Sequence, residues 1–316
     1  MQKMLDELKI DPFQDTEFSP GHNACPGCGS TMALRIVLDA MSGTPAVFFV
    51  PASCGSLYFG PSDTTPVHFP VIHTIFAGAF AQAEGMGWAL ARRGRPERVA
   101  VWAGDGACYD IGMGGLSGIA ARNANVLVFC NNNEGYQNTG GHESSATPAG
   151  SGGAGVSISD GTLPQPPTVR KDLAEILAAH RAPYVATASA AFPDDLSAKV
   201  KTALSITGFR LILLMTPCVT WKYETRYSVR LARLAVETGY HPLYEVRDGK
   251  TWSITYEPQR RPLEEFTRLQ GRFKGVALDA IRDEIEEKWE DLHFKASRPA
   301  TFRGATRSEP VERNCS

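Results

Sequence analysis

Two polar runs in the middle of the chain carry residue types suited to a metal-bound diphosphate. In Gly104-Asp105-Gly106 the glycines let the backbone turn tightly and approach a ligand, and the carboxylate offers a hard oxygen to a divalent cation such as Mg²⁺. Further on, Asn131-Asn132-Asn133-Glu134-Gly135 offers amide oxygens on a second turn. With Asp105 and Asn133 side by side, the two turns make a cradle for a Mg-diphosphate. Gly-Asp-Gly alone is a weak motif, and two ordinary βα turns with capping polar residues would look much the same; the second turn at the expected separation gives the pattern its weight.

The cysteines make a separate case. Cys25-Pro26-Gly27-Cys28 is a close thiol pair on a Gly/Pro loop ahead of a helix, where free backbone amides can hydrogen-bond the sulfurs of a bound cluster. A thioredoxin-like redox pair is the main rival, but such pairs follow a strand and no strand pattern precedes this one. Cys54 and Cys218 each fall just past an apolar run. If those runs are parallel strands, both thiols reach the sheet edge that holds the cradle. Four convergent thiolates can hold zinc or a [4Fe-4S] cluster. Structural zinc sites usually pair two close hairpins, so one close pair plus two single cysteines favours the cluster. Cys108 and Cys130 read as small core hydrophobes, and Cys315 as an idle residue of the tail.

These residues need a scaffold that gathers strand ends on one rim. Val47–Val50, Val99–Trp102, Val126–Cys130, Tyr184–Ala188 and Leu211–Met215 are short apolar runs of the kind buried in parallel sheets. Helical patterns alternate with them: a helix capped by Ser30 and running to Met41, then Val71–Arg93, Ile111–Arg122, Lys171–His180 and Phe192–Ser205. The fold expected is α/β, a doubly wound, mostly parallel sheet, whose ligands bind beyond the carboxyl ends of the strands. After Trp221 the pattern changes to a basic amphipathic helix (Tyr227–Glu237), a β-ribbon turning at Asp248-Gly249, and an acidic amphipathic helix (Leu278–Leu292). The chain thus divides into an N-terminal arm (1–20), the domain bearing the cradle and cysteine loops (21–220), and a C-terminal helical and β-ribbon extension with a tail (221–316). The Gly/Ser/Pro-rich stretch Ala149–Pro167 is too long for a simple connection and reads as a lid or a surface ordered by a partner. His73 reads as a packing or capping residue more readily than as a catalyst, and His68 is left unassigned.

Composition narrows the function classes. A chain of 316 residues with 43% hydrophobic content can bury one large core or two modest ones, and a formal charge of −2 gives no electrostatic footing for nucleic acid or an acidic membrane. No apolar run approaches the length of a spanning helix, and the polar, acidic start MQKMLDELKIDPF is unlike a signal peptide, so a cytoplasmic location is expected. Seven unevenly spaced cysteines do not form a disulfide scaffold.

Gly104-Asp105-Gly106 followed by Asn132-Asn133 resembles the thiamine diphosphate signature. Asn133-Glu134-Gly135-Tyr136-Gln137-Asn138-Thr139-Gly140-Gly141 with Ser144-Ser145-Ala146-Thr147-Pro148 is similar to the pyruvate:ferredoxin oxidoreductase family, specifically to its separate thiamine-diphosphate-binding β subunit. The likeness spans most of Phe18 to Tyr244. It implies that Asp105, Asn133 and the Gly135 backbone ligate Mg²⁺, that Gly104 and Gly106 lie near the diphosphate, and that Asn138 sits over the thiazolium as a catalytic amide. It also implies that Cys25, Cys28, Cys54 and Cys218 carry a [4Fe-4S] cluster next to the cofactor, with Cys54 near the cofactor too. Tyr136 is assigned either to the site or to packing.

In that chemistry thiamine diphosphate supplies a carbanion that attacks a 2-oxoacid; after loss of CO₂ a nearby cluster can remove electrons singly, leaving an acyl group for coenzyme A. The family implies an α subunit that brings the pyrimidine-binding domain and a catalytic glutamate, γ/δ-type subunits with further clusters, and ferredoxin or another acceptor. Asn138-Thr139-Gly140-Gly141 points to a pyruvate-type substrate. Departures from the commoner pattern at Gly135 and at Gly141-His142-Glu143 leave oxalate or an aryl glyoxylate open, with NAD as a final acceptor through another subunit. Two other readings are a non-oxidative thiamine lyase or decarboxylase with structural zinc, and a non-enzymatic metal-binding interaction module.

Overall fold

The computed structural model describes residues 17–61, 64–151 and 170–298. Residues 1–16 of the arm read over 1–20, the tail with Cys315 and most of the stretch read as a lid therefore lie outside the described residues; the end of the arm is no surface segment, since Phe18 is fully buried and bridges to Val67.

In chain order the elements are α1 (Gly29–Met41), β1 (Ala46–Pro51), α2 (Cys54–Phe59), β2 (Val71–Thr74), α3 (Ala79–Arg92), β3 (Arg98–Gly104), α4 (Met113–Ala121) and β4 (Val126–Asn132). There follow α5 (Leu173–Ala179), β5 (Tyr184–Ser189), α6 (Pro193–Ser205), β6 (Arg210–Met215), α7 (Ser228–Glu237), β7 (Leu243–Arg247), β8 (Thr251–Tyr256), α8 (Leu263–Thr267) and α9 (Asp279–Ala296). Eight strands form one sheet in the order β2-β1-β3-β4-β6-β5-β7-β8. The first six of that order are parallel, and β7 and β8 are antiparallel.

Strands β1, β4, β5 and β6 are buried at every position, which explains their unbroken apolar runs: helices cover both faces and no alternation is required. Phe48, Val50, Ala100, Trp102, Leu127 and Phe129 pack beneath α1, α2 and α6, while Val47, Phe49, Val99, Val101, Val126 and Val128 face α3, α4, α5 and the C-terminal helices. This two-sided wrapping is the doubly wound arrangement the sequence predicts. β1, β3, β4 and β6 lie side by side, so the loops leaving their carboxyl ends share one rim.

Three expectations need correction. Residues 71–93 are not one helix: the β-branched Val71, Ile72 and Thr74 extend as edge strand β2 beside β1, and helix begins only at Ala79. His73 lies in that strand and bonds the Gly60 carbonyl through Nε2 at 2.7 Å, the satisfied polar role anticipated for it. Ser30 is not the cap of α1; Cys28 holds that position, and Ser30 is buried in the first turn. The helix expected over 111–122 is preceded by a wide π-helical turn, Gly106–Ile111, and starts at Met113. Such turns are rare and concentrate at functional sites.

Beyond residue 220 the ribbon joins the main sheet, with β7 pairing to β5. Its turn has Asp248 at φ 53° and Gly249 at φ 61°, the doubly left-handed geometry of a type I′ hairpin. Helix α9 buries Ile281, Ile285, Trp289 and Leu292, one stripe at helical spacing, against the same core. No helix among the described residues is long and apolar enough to cross a membrane.

Candidate active site

The first half of the site is an oxygen cradle. Strand β3 ends at Gly104, and Asp105 follows at 1% exposure, accepting a hydrogen bond from the Ser144 hydroxyl. Burial pushes its carboxyl up to about 7, while the Ser144 bond and the Gly135 amide pull the other way. On the neighbouring loop after β4, Asn132 Oδ1 accepts from the Glu134 amide at 3.0 Å, and Glu134 takes a left-handed φ of 57°. That turn aims the Asn133 side chain back at β3. The end of its side-chain amide lies 3.1 Å from Asp105 Oδ1 and 2.8 Å from the Gly135 carbonyl: turned nitrogen-inward it donates to both, and turned oxygen-inward it converges with them. Neighbouring ligands of an octahedral Mg²⁺ at its usual bond length lie ~2.9 Å apart. With the amide turned oxygen-inward, three oxygens, one from a buried acid, converge at the spacing of magnesium ligands.

The cradle loop is held from behind. The Asn133 carbonyl accepts from Trp221 Nε1 at 3.0 Å and Gln137 Nε2 at 3.2 Å, and the Glu134 carbonyl accepts from Thr147 Oγ1 at 2.9 Å. The Glu134 carboxylate turns into the protein, pairing with Arg272 at 2.6 Å and Arg170 at 3.3 Å and accepting from the Tyr240 hydroxyl. Arg272 in turn stacks on Trp221, its guanidinium carbon 3.6 Å from the ring centroid. Tyr136 packs its ring where a Gly106 side chain would stand, with its hydroxyl 3.3 Å from Asp110 Oδ2. This is the packing position anticipated as one of the two readings of Tyr136.

The second half is a cavity of about 140 Å³ lined by all four candidate cysteines, Cys25, Cys28, Cys54 and Cys218, and also by Asn133 and Asn138. The Cys25–Cys28 loop reaches the Cys218 loop because Gly29 abuts Pro217: its amide bonds the Pro217 carbonyl at 3.1 Å, and a Cβ at Gly29 would meet that oxygen at 2.6 Å. Cys54 is set by α2, where Ser53 and Ser56 form a reciprocal capping box. Burial raises the Cys28 and Cys218 thiols above their ordinary range and pushes Cys54 up to about 12, with the other three cysteines adding to the rise at Cys54. Such mutually repelling sulfurs hold negative charge together only around a cationic body. Among the described residues, no group of three or more His, Cys, Asp or Glu is placed to hold a metal ion. The four thiols line one cavity, a donor set that zinc or a [4Fe-4S] cluster can use.

The structure thus brings together Gly104, Asp105, Gly106, Asn133 and Gly135, and beside them the four cysteines. Asn138 lies in a short turn, Gln137–Thr139, exposed at the mouth of the cysteine cavity. Cys108 and Cys130 are fully buried, as expected of core residues. Sequence reasoning missed the ion-pair network behind Glu134, whose arginines lie far away in sequence, and a buried Trp102–Tyr58–Ser30 chain beside the cysteines. No local pattern marks either of them; only a fold that crosses from strand to helix makes them neighbours.

Comparison with known proteins gives concordant results. A family model described as "Thiamine pyrophosphate enzyme, C-terminal TPP binding domain" matches residues 55–213. Pyruvate synthase subunit PorB of Methanothermobacter marburgensis is 40% identical over 282 residues, covering 87% of this chain and 97% of the relative. Ketoisovalerate oxidoreductase subunit VorB of Pyrococcus horikoshii is 37% identical over 293 residues, covering 89% and 93%. A solved structure of 2-oxoglutarate:ferredoxin oxidoreductase from Magnetococcus marinus aligns over 92% of this chain and 97% of its own, with a TM-score of 0.57 at 21% identity, a likeness of fold.

Proposed function

The chain belongs to the thiamine-diphosphate-binding β subunits of the 2-oxoacid:ferredoxin oxidoreductases, and from that premise we propose that it carries out the oxidative decarboxylation of a pyruvate-type 2-oxoacid within a larger complex. The observation that carries the reading is that Asn133 belongs to both halves of the site: its amide faces Asp105 and Gly135, and its side lines the four-cysteine cavity. A carbon centre and an electron acceptor on one rim suit decarboxylation coupled to oxidation.

Asp105, Asn133 and the Gly135 carbonyl would hold Mg²⁺, with Gly104 and Gly106 leaving room for a diphosphate; Cys25, Cys28, Cys54 and Cys218 would hold a [4Fe-4S] cluster. When bound, thiamine diphosphate supplies a carbon nucleophile and electron sink for a 2-oxoacid, and the cluster accepts electrons one at a time. The chain's own residues bind and orient. Asp105, whose carboxyl burial holds high, would be favoured in its ionised form by a cation in the cradle. Trp221 and Gln137 fix the Asn133 backbone so that its amide oxygen stays pointed inward. Asn138, at the mouth, presents an amide to the substrate oxygen that gains charge. Coenzyme A is the expected acyl acceptor, and ferredoxin or a similar carrier takes the electrons onward through γ/δ-type subunits. An α subunit supplies the pyrimidine-binding domain and the catalytic glutamate. Residues 21–220 would form the cofactor domain proper and 221–316 an extension with a tail, whose strands β7 and β8 continue the sheet.

The test is a combined assay of thiamine diphosphate, magnesium, iron and acid-labile sulfide on the anaerobically purified complex, followed by a 2-oxoacid panel with coenzyme A. Pyruvate should be the best substrate, with 2-oxoisovalerate, oxalate and an aryl glyoxylate as comparators. Zinc in place of iron, or decarboxylation without reduction of an acceptor, would overturn the reading.

A further inference from the structure

The cysteine cavity has a second lining that belongs to neither cradle nor thiols. Ser30 on α1 and Tyr58 on α2 both border it, at 3% and 1% exposure. Trp102, from β3, donates its indole N–H to the Tyr58 oxygen at 2.7 Å, and indole nitrogen is a donor only. The Ser30 and Tyr58 hydroxyls are also hydrogen-bonded to each other, and either can be the donor. The proton count does not depend on which. Two O–H protons are present, one lies between the two oxygens, and the Trp102 proton already occupies a lone pair of Tyr58. One hydroxyl proton is always left over, and no backbone or side-chain acceptor takes it within this trio. The thiols of Cys28 and Cys54 line the same cavity as Ser30 and Tyr58.

We propose that Ser30 and Tyr58 act as one interchangeable donor, delivering a single O–H hydrogen bond into the cysteine cavity, to a sulfur of the cluster bound there. The inference rests on the iron-sulfur reading above and deepens it. A hydrogen bond to a cluster sulfur stabilises the more negative, reduced state and so raises the reduction potential. Trp102 anchors the pair from the sheet, so the donor stays in place whichever hydroxyl provides the proton. The two residues are positioning residues for electron acceptance.

The interchangeability gives the test its form. Ser30→Ala leaves the Tyr58 proton free for the cavity, and Tyr58→Phe leaves that of Ser30. Only Ser30→Ala combined with Tyr58→Phe empties the position, while Ser30→Thr combined with Tyr58→Phe restores one hydroxyl. The midpoint potential of this cluster is read by EPR-monitored redox titration of the whole complex, its signal identified by its loss in Cys54→Ser, and iron and sulfide are assayed in every variant. Both single variants should titrate close to the unaltered complex, the Ala/Phe variant should shift to more negative potential, and the Thr/Phe variant should return. An Ala/Phe variant with full iron and an unmoved midpoint overturns the inference alone, as do single variants that each shift as far as the double. Absence of iron and sulfide from the unaltered complex overturns the reading beneath it.

Discussion

Asp105 is a buried acid whose near neighbours are a serine hydroxyl, backbone amides and other polar atoms, and among the described residues it has no ion pair with a basic side chain. That environment is costly for a carboxylate alone and favourable for one that shares a dication. Asp105→Asn should therefore lower the affinity for thiamine diphosphate with Mg²⁺ by more than ~100-fold, judged against the losses that even outer partners of metal sites cause. The same change should leave the melting temperature of the cofactor-free complex unchanged or raised. Titration calorimetry with parallel thermal scans checks both; retained affinity would remove Asp105 from the cradle. Glu134 behaves in the opposite way. It neutralises Arg272 and shares Arg170 with Glu284, so Glu134→Gln leaves Arg272 short of its counter-charge in the interior. Such a loss costs about 3 kcal/mol, to be read by urea unfolding, and it should weaken cofactor binding as well, because Glu134 sits between two of the cradle's ligands.

At the scale of elements, the hairpin between β7 and β8 offers a sharp case. Gly249 has φ 61°, and a Cβ there would stand 2.1 Å from the Ala178 carbonyl at the end of α5. Gly249→Ala should destabilise the fold by about 2 kcal/mol through backbone strain and collision, measured by denaturant unfolding, without changing the iron content. This turn was legible in the sequence, because Asp-Gly between two apolar runs has few other uses. The buried strands were legible for a similar reason: once both faces are covered, nothing polar interrupts Val126–Cys130 or Leu211–Met215. Strand β2 was not, since Val71–Thr74 is continuous in composition with the helix after it, and only pairing with β1 decides between them. The site divides in the same way. Asp105, Asn133 and the cysteines announce themselves by type and spacing, whereas Arg170, Arg272, Tyr58 and Trp102 are ordinary residues until the sheet places them.

The whole molecule couples the cofactor rim to its C-terminal layer through a charged cavity of about 450 Å³ that includes Glu134, His241 and Lys288. His241 is buried, and its imidazole is held down to about 3, first by burial and then by the positive charge of Lys288. In the unfolded chain it takes up a proton near 6.5. Between those values the unfolded state binds a proton that the native state refuses. This part of the stability is complete above pH 6.5 and is lost as the pH falls towards 3, by up to ~1.4 kcal/mol per pH unit. His241→Gln should flatten the acid limb of a stability-against-pH curve, and an unchanged limb would assign acid sensitivity elsewhere. The relatives at 37% and 40% identity are named as subunits, so the proposed activity is to be assayed on the assembly rather than on this chain by itself.

The central claim is that the oxygen cradle and the four thiols work as one electron-transfer unit, and its most direct test is rapid-freeze EPR of the reconstituted complex mixed with 2-oxoacid and coenzyme A. The unaltered complex should show a reduced [4Fe-4S] signal that vanishes in Asp105→Asn although iron and sulfide remain, and in Cys54→Ser because the cluster is gone. Reduction that persists in Asp105→Asn, or a full iron complement in Cys54→Ser, would contradict the account.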